Sequence, residues 1–140
     1  MLYTHLTEAH FCSVAKNFAR KITFPNVVCL YGDLGAGKST FCRAFIQTLL
    51  NDSAHIVPSP TFTLVQEYTC QKGSIYHFDL YRLQHAEDLI ELNIEEALQS
   101  GLCLIEWPDR LGPFMPDGTI DVHIKKESDN LRSVRQIIPN

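Results

Sequence analysis

The spacing of apolar residues along the chain predicts two long helices and two short ones. Phe11, Ala15 and Phe18 share one face of a helix whose first turn Thr7 is suited to cap. A second helical pattern ends at Asn51, a residue that favours the end of a helix. The helices predicted in this way cover residues 8–22, 38–50, 86–92 and 94–99.

Strand patterns account for most of the remaining chain. Residues 27–30 and 102–105 are apolar at every position, as expected for strands that are covered on both faces of a sheet. Alternating polar and apolar residues around Gly73 and around Asp129-Asn130 predict two hairpins. The other predicted strands are residues 1–6 at a sheet edge, 63–69 with 74–78, and 120–125 with 131–138.

These elements predict one α/β domain over residues 1–140 with a three-layer fold. Apolar strands with helices between them indicate a parallel core, and the hairpins indicate antiparallel strands added at its edges, so the sheet is mixed. Prolines are expected to keep two segments out of the sheet. We predict a rigid surface segment over residues 58–62 and a loop over residues 111–118.

The composition of the chain argues against several classes of function. With a net charge of −4, the chain lacks the basic surface that direct binding of nucleic acid requires, so contact with RNA is expected only through a partner. The chain has no basic leader followed by an apolar segment and no apolar run of membrane-spanning length, so we expect a cytosolic protein without membrane contact. The five widely spaced cysteines are expected to be reduced, buried thiols, and the histidines show no metal-ligand spacing.

Residues 32–39, GDLGAGKS, fit the P-loop pattern G-x-x-x-x-G-K-[ST] between a predicted strand and a predicted helix. The three-layer α/β domain is therefore expected to be of the P-loop NTPase type. In this context Lys38 is expected to contact the β- and γ-phosphates of a nucleotide, and the Ser39 hydroxyl to bind Mg²⁺. The alternative is a glycine-rich turn with a solvated lysine. The predicted nucleotide-binding residues of the motif are Gly32, Asp33, Leu34, Gly35, Ala36, Gly37, Lys38, Ser39 and Thr40.

Two carboxylates follow predicted strands and are candidate Mg²⁺ ligands. Asp79 and Glu106 stand at strand ends, which in such sheets lie at the same edge as the P-loop. Asp79 is alternatively the cap of a short helical turn, and Glu106 a surface glutamate.

Three further residues surround this predicted site. Thr61, in the segment Pro-Thr-Phe, resembles a switch-loop threonine that approaches the γ-phosphate or metal, although it is alternatively an ordinary loop residue. Trp107, the only tryptophan, follows Glu106 and is expected at the rim of the site rather than in the core. His77 lies inside a strand and is interpreted as a packed core histidine, not as a base.

Four segments together resemble the TsaE (YjeE) family of small bacterial P-loop ATPases. They are GDLGAGKST at 32–40, SPTFTLV at 59–65, YHFDLYRL at 76–83 and IEWPDR at 105–110. Their order and spacing extend over nearly the whole chain. Ser39 stands where the family more often has threonine, which keeps the hydroxyl, and Asn93 replaces a usual glycine.

The resemblance implies an ATPase that acts with a transferase subunit and with that subunit's non-catalytic paralogue. Their joint product is the threonylcarbamoyl group on adenosine 37 of tRNAs that read codons beginning with A. The ATPase is needed for repeated turnover and does not transfer the group itself. The resemblance implies that Lys38 contacts the phosphates, that Ser39 contacts Mg²⁺ and that the Glu106 carboxylate belongs to the Mg²⁺ site. It also implies that Asp79 and Trp107 are important for activity and that Thr61 lies in a switch-like segment. Glu8 and Arg132 are implied to contact the nucleotide.

Two other functions remain open on the sequence alone. A small metabolite kinase would use the same P-loop, but it usually needs a lid that carries arginines, and the six arginines here are scattered. A nucleotide-gated adaptor would bind ATP without useful hydrolysis, and the presence of both Asp79 and Glu106 disfavours it.

Overall fold

The computed structural model describes residues 1–139 and contains seven strands with helices between them. The strands are β1 (Leu2–Leu6), β2 (Asn26–Tyr31), β3 (Val65–Cys70), β4 (Gly73–Asp79), β5 (Leu102–Glu106), β6 (Ile120–Lys126) and β7 (Arg132–Ile137). The helices are α1 (Glu8–Lys21), α2 (Lys38–Leu50) and α3 (Ile94–Ser100), with 3₁₀ helices at Ala86–Leu92 and Pro108–Phe114. Among the described residues, no helix has both the length and the apolar character that crossing a membrane requires.

All seven strands form one mixed sheet in the order β1-β7-β6-β2-β5-β4-β3. Strands β6, β2, β5 and β4 are parallel to one another, whereas β3, β7 and β1 pair antiparallel with their neighbours. The predicted mixed sheet with antiparallel additions is therefore confirmed. The pairing sets Leu30 of β2 and Asp79 of β4 level with Glu106 of β5, so these three strands end at the same edge.

Alternate side chains of the central strands pack into two separate hydrophobic clusters, one on each face of the sheet. Leu30 and Leu104 pack with the phenylalanines of α1 and α2, and Cys29 and Ile105 pack with Leu89 and its neighbours on the other face. Every residue of β5 is buried. Helices therefore cover both faces of the sheet, which explains why β2 and β5 are apolar at successive positions.

Local chemistry fixes the helix ends as the sequence predicts. The Thr7 hydroxyl accepts a hydrogen bond from the backbone N–H of His10 at 3.3 Å, so it caps α1. Asn51 ends α2 in the left-handed conformation, and Asn93 takes the same conformation between the first 3₁₀ helix and α3. Asparagine tolerates this conformation better than most residues because its short side chain is polar.

The predicted loop over residues 111–118 is wrong for its first four residues. Residues 108–114 form 3₁₀ turns with a kink at Gly112, where φ is 53° and ψ is −123°. Pro108 has the fixed φ that suits the first position of a helical turn. Leu111 is fully buried in the cluster that contains Leu89, so tertiary packing stabilises turns that the prolines alone did not suggest.

The helical layers on the two faces carry opposite charge. Helices α1 and α2 contain five basic residues and one acidic residue. The first 3₁₀ helix and α3 contain five acidic residues and no basic residue. Because α1 and α2 pack on one face and the acidic elements on the other, the sheet separates the two groups of charge.

All five cysteines are free thiols, which agrees with the expected reduced state. Cys29, Cys42 and Cys103 are buried, but Cys12 and Cys70 are only half-buried, so the expectation of burial holds for three of them. Burial raises the pKa of Cys29 and of Cys103 to about 12. The protonated thiols are therefore favoured by the folded state.

We expect the protein to lose stability as the pH rises above the ordinary thiol pKa of about 8.5. Below that pH the thiols are protonated in both states and this contribution is complete. Between pH 8.5 and 12 the unfolded chain releases protons first, so each buried thiol lowers the free energy of unfolding by about 1.4 kcal/mol per pH unit. Urea unfolding at pH 8, 9 and 10 measures this slope.

The Cys103→Ala variant should show a shallower slope than the wild-type protein. Leu104→Ala is the matched control, since it creates a cavity in the same strand without removing a thiol and should keep the wild-type slope. Equal slopes for wild type and Cys103→Ala would contradict the prediction.

Candidate functional site

The glycine-rich loop connects β2 to α2 and leaves the start of α2 accessible. Gly35 and Gly37 have φ values of 82° and 118°, which glycine adopts without strain. Among residues 1–139, no side chain caps α2, so its first backbone N–H groups lack a side-chain acceptor. Unpaired N–H groups at a helix start form a binding site for anions.

Lys38 lies buried at the base of this loop, with 5% of its surface exposed. Its ammonium donates hydrogen bonds to the carbonyls of Gly32 and Asp33 and lies 4.2 Å from the centre of the Trp107 ring. Burial lowers the pKa of Lys38, an effect that the nearby carboxylates of Glu106 and Asp79 oppose. The cation is thus held by carbonyls and a ring at the point where an anion would enter.

Glu106 is buried at the end of β5, with 2% of its surface exposed, so the surface-glutamate alternative is wrong. Its Oε1 accepts a hydrogen bond from the Ser39 hydroxyl at 3.0 Å, and its Oε2 lies 2.7 Å from Nε2 of His77. Ser39 of α2 and His77 of β4 therefore fix the Glu106 carboxylate from two sides.

Asp79 is also buried and joins the segment at residues 58–62 to the sheet. Its Oδ2 accepts hydrogen bonds from the hydroxyls of Thr61 at 3.2 Å and Ser59 at 3.5 Å. Its Oδ1 accepts a hydrogen bond from the backbone N–H of Tyr81 at 3.1 Å. Asp79 therefore also stabilises the turn after β4, which is the alternative role that the sequence suggested for it. One carboxylate thus holds the threonine of the predicted switch segment beside the cleft.

Trp107 leaves β5 in the left-handed conformation, with φ 59° and ψ 53°. This backbone turn places the half-buried indole between Lys38 and the ring of Tyr81, whose centre is 5.0 Å away. The indole consequently lies at the rim of the cleft, where the sequence placed it.

These side chains line one cleft of about 270 Å³. Residues at the cleft that were expected there are Leu34, Gly35, Gly37, Lys38, Ser39, Thr40, Thr61, Asp79, Glu106, Trp107 and Arg132. Ser59 and Tyr81 also line it, although only their presence in the family-like segments pointed to them. A larger groove of about 660 Å³ elsewhere has a mainly apolar lining and includes none of the expected site residues.

Four expected residues lie outside the cleft lining. Gly32, Asp33 and Ala36 belong to the loop but line its outer side, next to β6. Glu8 is exposed in the first turn of α1. Its predicted contact with nucleotide stays a prediction, and the structure does not bring it to the cleft.

Arg132, at the start of β7, lines the cleft and packs against the loop near Gly37. Its guanidinium lies 5.2 Å from the centre of the Phe11 ring, and a Cβ at Gly37 would come within 3.1 Å of its Nε. That Nε is buried and has no hydrogen-bond partner among the described residues. A basic side chain with spare donors therefore borders the loop.

Two sets of atoms at the site have metal-binding chemistry. Cys42, His77 and Glu106 offer atoms within 4.8 Å of one another, but burial and the neighbouring carboxylates raise the pKa of Cys42 well above its usual value. A protonated thiol is a poor ligand. The hydroxyls and carboxylates of Ser39, Thr61, Asp79 and Glu106 are hard oxygen donors, the type that Mg²⁺ prefers.

A parallel core with a glycine-rich loop between β2 and α2, and with carboxylates at the ends of the neighbouring strands, defines a protein of the P-loop class. Within that class, the chain belongs to the TsaE family, because the family model described as "Threonylcarbamoyl adenosine biosynthesis protein TsaE" matches residues 6–137. The family resemblance inferred from the four sequence segments is thereby confirmed.

Individual relatives agree with this assignment. The chain is 43% identical to the "tRNA threonylcarbamoyladenosine biosynthesis protein TsaE" of Rickettsia bellii over 126 residues, which are 90% of this chain and 87% of that protein. It is 37% identical to the protein of the same name from Aquifex aeolicus over 129 residues, 92% of this chain and 90% of the relative. A solved structure, "Crystal structure of Bacillus subtilus YdiB", matches with a TM-score of 0.79 and 28% identity, covering 100% of this chain and 86% of that one.

Alanine substitutions in the loop should separate backbone strain from crowding. Gly35→Ala should cost about 1–2 kcal/mol of stability, because φ is positive there but no described atom lies within 4 Å of the new Cβ. Gly37→Ala should cost more, because its Cβ would also contact Arg132 and the Phe11 ring at 3.1–3.2 Å. Urea unfolding of the two variants measures the difference, and equal losses would contradict the crowding at residue 37.

Proposed function

We propose that this chain binds and hydrolyses ATP with Mg²⁺ as a subunit of the machinery that forms threonylcarbamoyladenosine in tRNA. The observation that carries the proposal is the convergence of Lys38, Ser39, Asp79 and Glu106 on one cleft at the start of α2. Membership of the TsaE family and the names of the chain's relatives support the pathway.

The loop suits the phosphates of a nucleotide. Free N–H groups at the start of α2 and the ammonium of Lys38 supply donors and positive charge on one side of the cleft. Arg132 adds a second cation from β7, with a buried Nε that lacks a partner among the described residues. Anionic phosphates would replace the carbonyls that hold Lys38 and would offset the cost of its burial.

Mg²⁺ would be held by Ser39 and Glu106, with Asp79 acting directly or through water. When bound, the ion would neutralise charge that develops on the phosphoryl oxygens. Ser39 and Glu106 already lie within hydrogen-bond distance, so little rearrangement is needed to direct both toward one cation. Thr61, now bonded to Asp79, would be free to turn toward the γ-phosphate as a switch residue does.

In this proposal the chain acts with a transferase subunit and that subunit's non-catalytic paralogue, in the cytoplasm, and meets tRNA only through them. The net charge of −4 supports indirect contact with RNA. Exposed apolar side chains next to the cleft, Leu34 and Phe62, offer surface to a partner that covers the site. The isolated chain is then a slow ATPase that its partners complete.

Replacing Lys38 with alanine should weaken ATP binding by about 10- to 100-fold. The magnitude follows from losing a charged hydrogen-bond donor, which is worth about 1.5–3 kcal/mol. Isothermal titration calorimetry with ATP and Mg²⁺ measures it. Lys16→Ala is the control, because Lys16 is exposed on α1 and should leave the affinity unchanged. Wild-type affinity in Lys38→Ala would rule out the phosphate site.

Asp79→Asn and Glu106→Gln should each lower the rate of ATP hydrolysis more than the affinity for nucleotide. Both changes keep shape but remove a negative charge that the metal needs most in the transition state. The rate is measured in the full assembly, with Glu96→Gln on the exposed face of α3 as a control. A wild-type rate in either variant would contradict the role given to that residue.

The function itself is tested by reconstituting tRNA modification with and without this chain. We expect each transferase subunit to complete many cycles only when the chain and ATP are present. A turnover number that does not depend on the chain would contradict the pathway role. Normal stimulation by Asp79→Asn and Glu106→Gln, despite lost hydrolysis, would instead favour the nucleotide-gated adaptor.

A further inference from the structure

His77 is a buried polar residue that the proposed mechanism has not used. It lies on β4 with 1% of its surface exposed, two residues before Asp79. The register sets it level with Leu104 of β5, one side-chain step below Glu106 on the same face of the sheet. His77 therefore sits behind Glu106 as seen from the cleft, and it is not among the residues that line the cleft.

The hydrogen bond between the two side chains has a defined direction. Nε2 of His77 lies 2.7 Å from Oε2 of Glu106, and an ionised carboxylate can only accept a hydrogen bond. The imidazole is therefore the donor, through the hydrogen on Nε2. Nδ1 is buried and has no partner within residues 1–139, so the ring makes its one hydrogen bond to Glu106.

Two simpler roles do not fit this geometry. His77 cannot act as a base toward a ligand in the cleft, because the carboxylate of Glu106 stands between them and the ring has no exposed edge. A metal centre with Cys42 would need a thiolate, and the surroundings raise the pKa of that thiol well above its usual value. The remaining role for the imidazole is its hydrogen bond to Glu106.

We infer that His77 is a positioning residue that holds the Glu106 carboxylate in the orientation required for Mg²⁺. The inference rests on the proposed function, in which Glu106 and Ser39 hold the ion. With Oε2 fixed by His77, Oε1 is directed toward Ser39 and the cleft. When the Ser39 hydroxyl turns to the ion, the bond to His77 still prevents Glu106 from rotating away. Loss of such an orienting partner typically costs 10- to 100-fold in metal affinity.

Three substitutions separate this role from simple packing. His77→Leu removes the donor but keeps an apolar body of similar size. His77→Gln places an amide nitrogen near the position of Nε2, so it can restore the bond, whereas His77→Asn is too short to reach Glu106. His123→Leu is the matched control, because His123 is exposed and stacks on Tyr31 away from the cleft.

The measurement is the affinity of Mn²⁺ for each protein loaded with the ATP analogue AMP-PNP, followed by electron paramagnetic resonance. We expect His77→Leu and His77→Asn to bind Mn²⁺ about 10- to 100-fold more weakly and His77→Gln to stay close to the wild type. Metal-free AMP-PNP affinity should be equal in all variants, because the loop contacts remain. In a Glu106→Gln background, His77→Leu should cause no further loss of Mn²⁺ affinity.

Unchanged Mn²⁺ affinity in His77→Leu or His77→Asn, with normal AMP-PNP binding, would overturn the inference alone. A wild-type chain that bound no AMP-PNP would instead overturn the proposed function.

Nitrogen-15 NMR of the wild-type His77 ring tests the hydrogen bond to Glu106 without any substitution. We expect the tautomer with hydrogen on Nε2, and finding the hydrogen on Nδ1 would overturn the inference because Nε2 could not then donate to Glu106.

Discussion

The pairing of β5 between β2 and β4 is the constraint on which the site depends. This register sets Leu30, Glu106 and Asp79 at one level, so the loop after β2 and two carboxylates meet at one sheet edge. Because side chains alternate between faces, a slip of one residue would turn Glu106 away from Ser39 and into the other hydrophobic cluster. Burial of β5 on both faces makes such a slip unfavourable, because it would exchange the packing of every residue in the strand.

The protein concentrates its buried polar groups at this edge. Among the described residues, the buried polar or charged side chains are Lys38, His77, Asp79 and Glu106. Burying a polar group costs free energy unless it is hydrogen-bonded, and each of these four has a partner close by. The other fully buried side chains are apolar, so much of the cost of dehydrating polar groups falls on residues at the proposed site.

The sequence predicted what depends on local spacing and missed what depends on contacts between distant residues. The Thr7 cap, the two-faced burial of β5 and the strand-end positions of Asp79 and Glu106 all follow from neighbours along the chain. The bond between His77 and Glu106 joins residues 29 apart on strands whose register the sequence does not state. For the same reason, Leu111 could not be recognised as a core residue, and the loop predicted around it was wrong.

The opposite charge of the two helical layers contributes an electric dipole directed across the sheet. The net charge of −4 conceals this asymmetry, because the basic side with α1 and α2 and the acidic side with α3 partly cancel in the sum. In the field of a large charged body the protein would experience a torque as well as a force, and it would rotate before contact. This preference extends over a Debye length of about 8 Å at physiological salt and shrinks as salt is added. The two faces of this acidic protein would therefore not be equivalent to a charged partner.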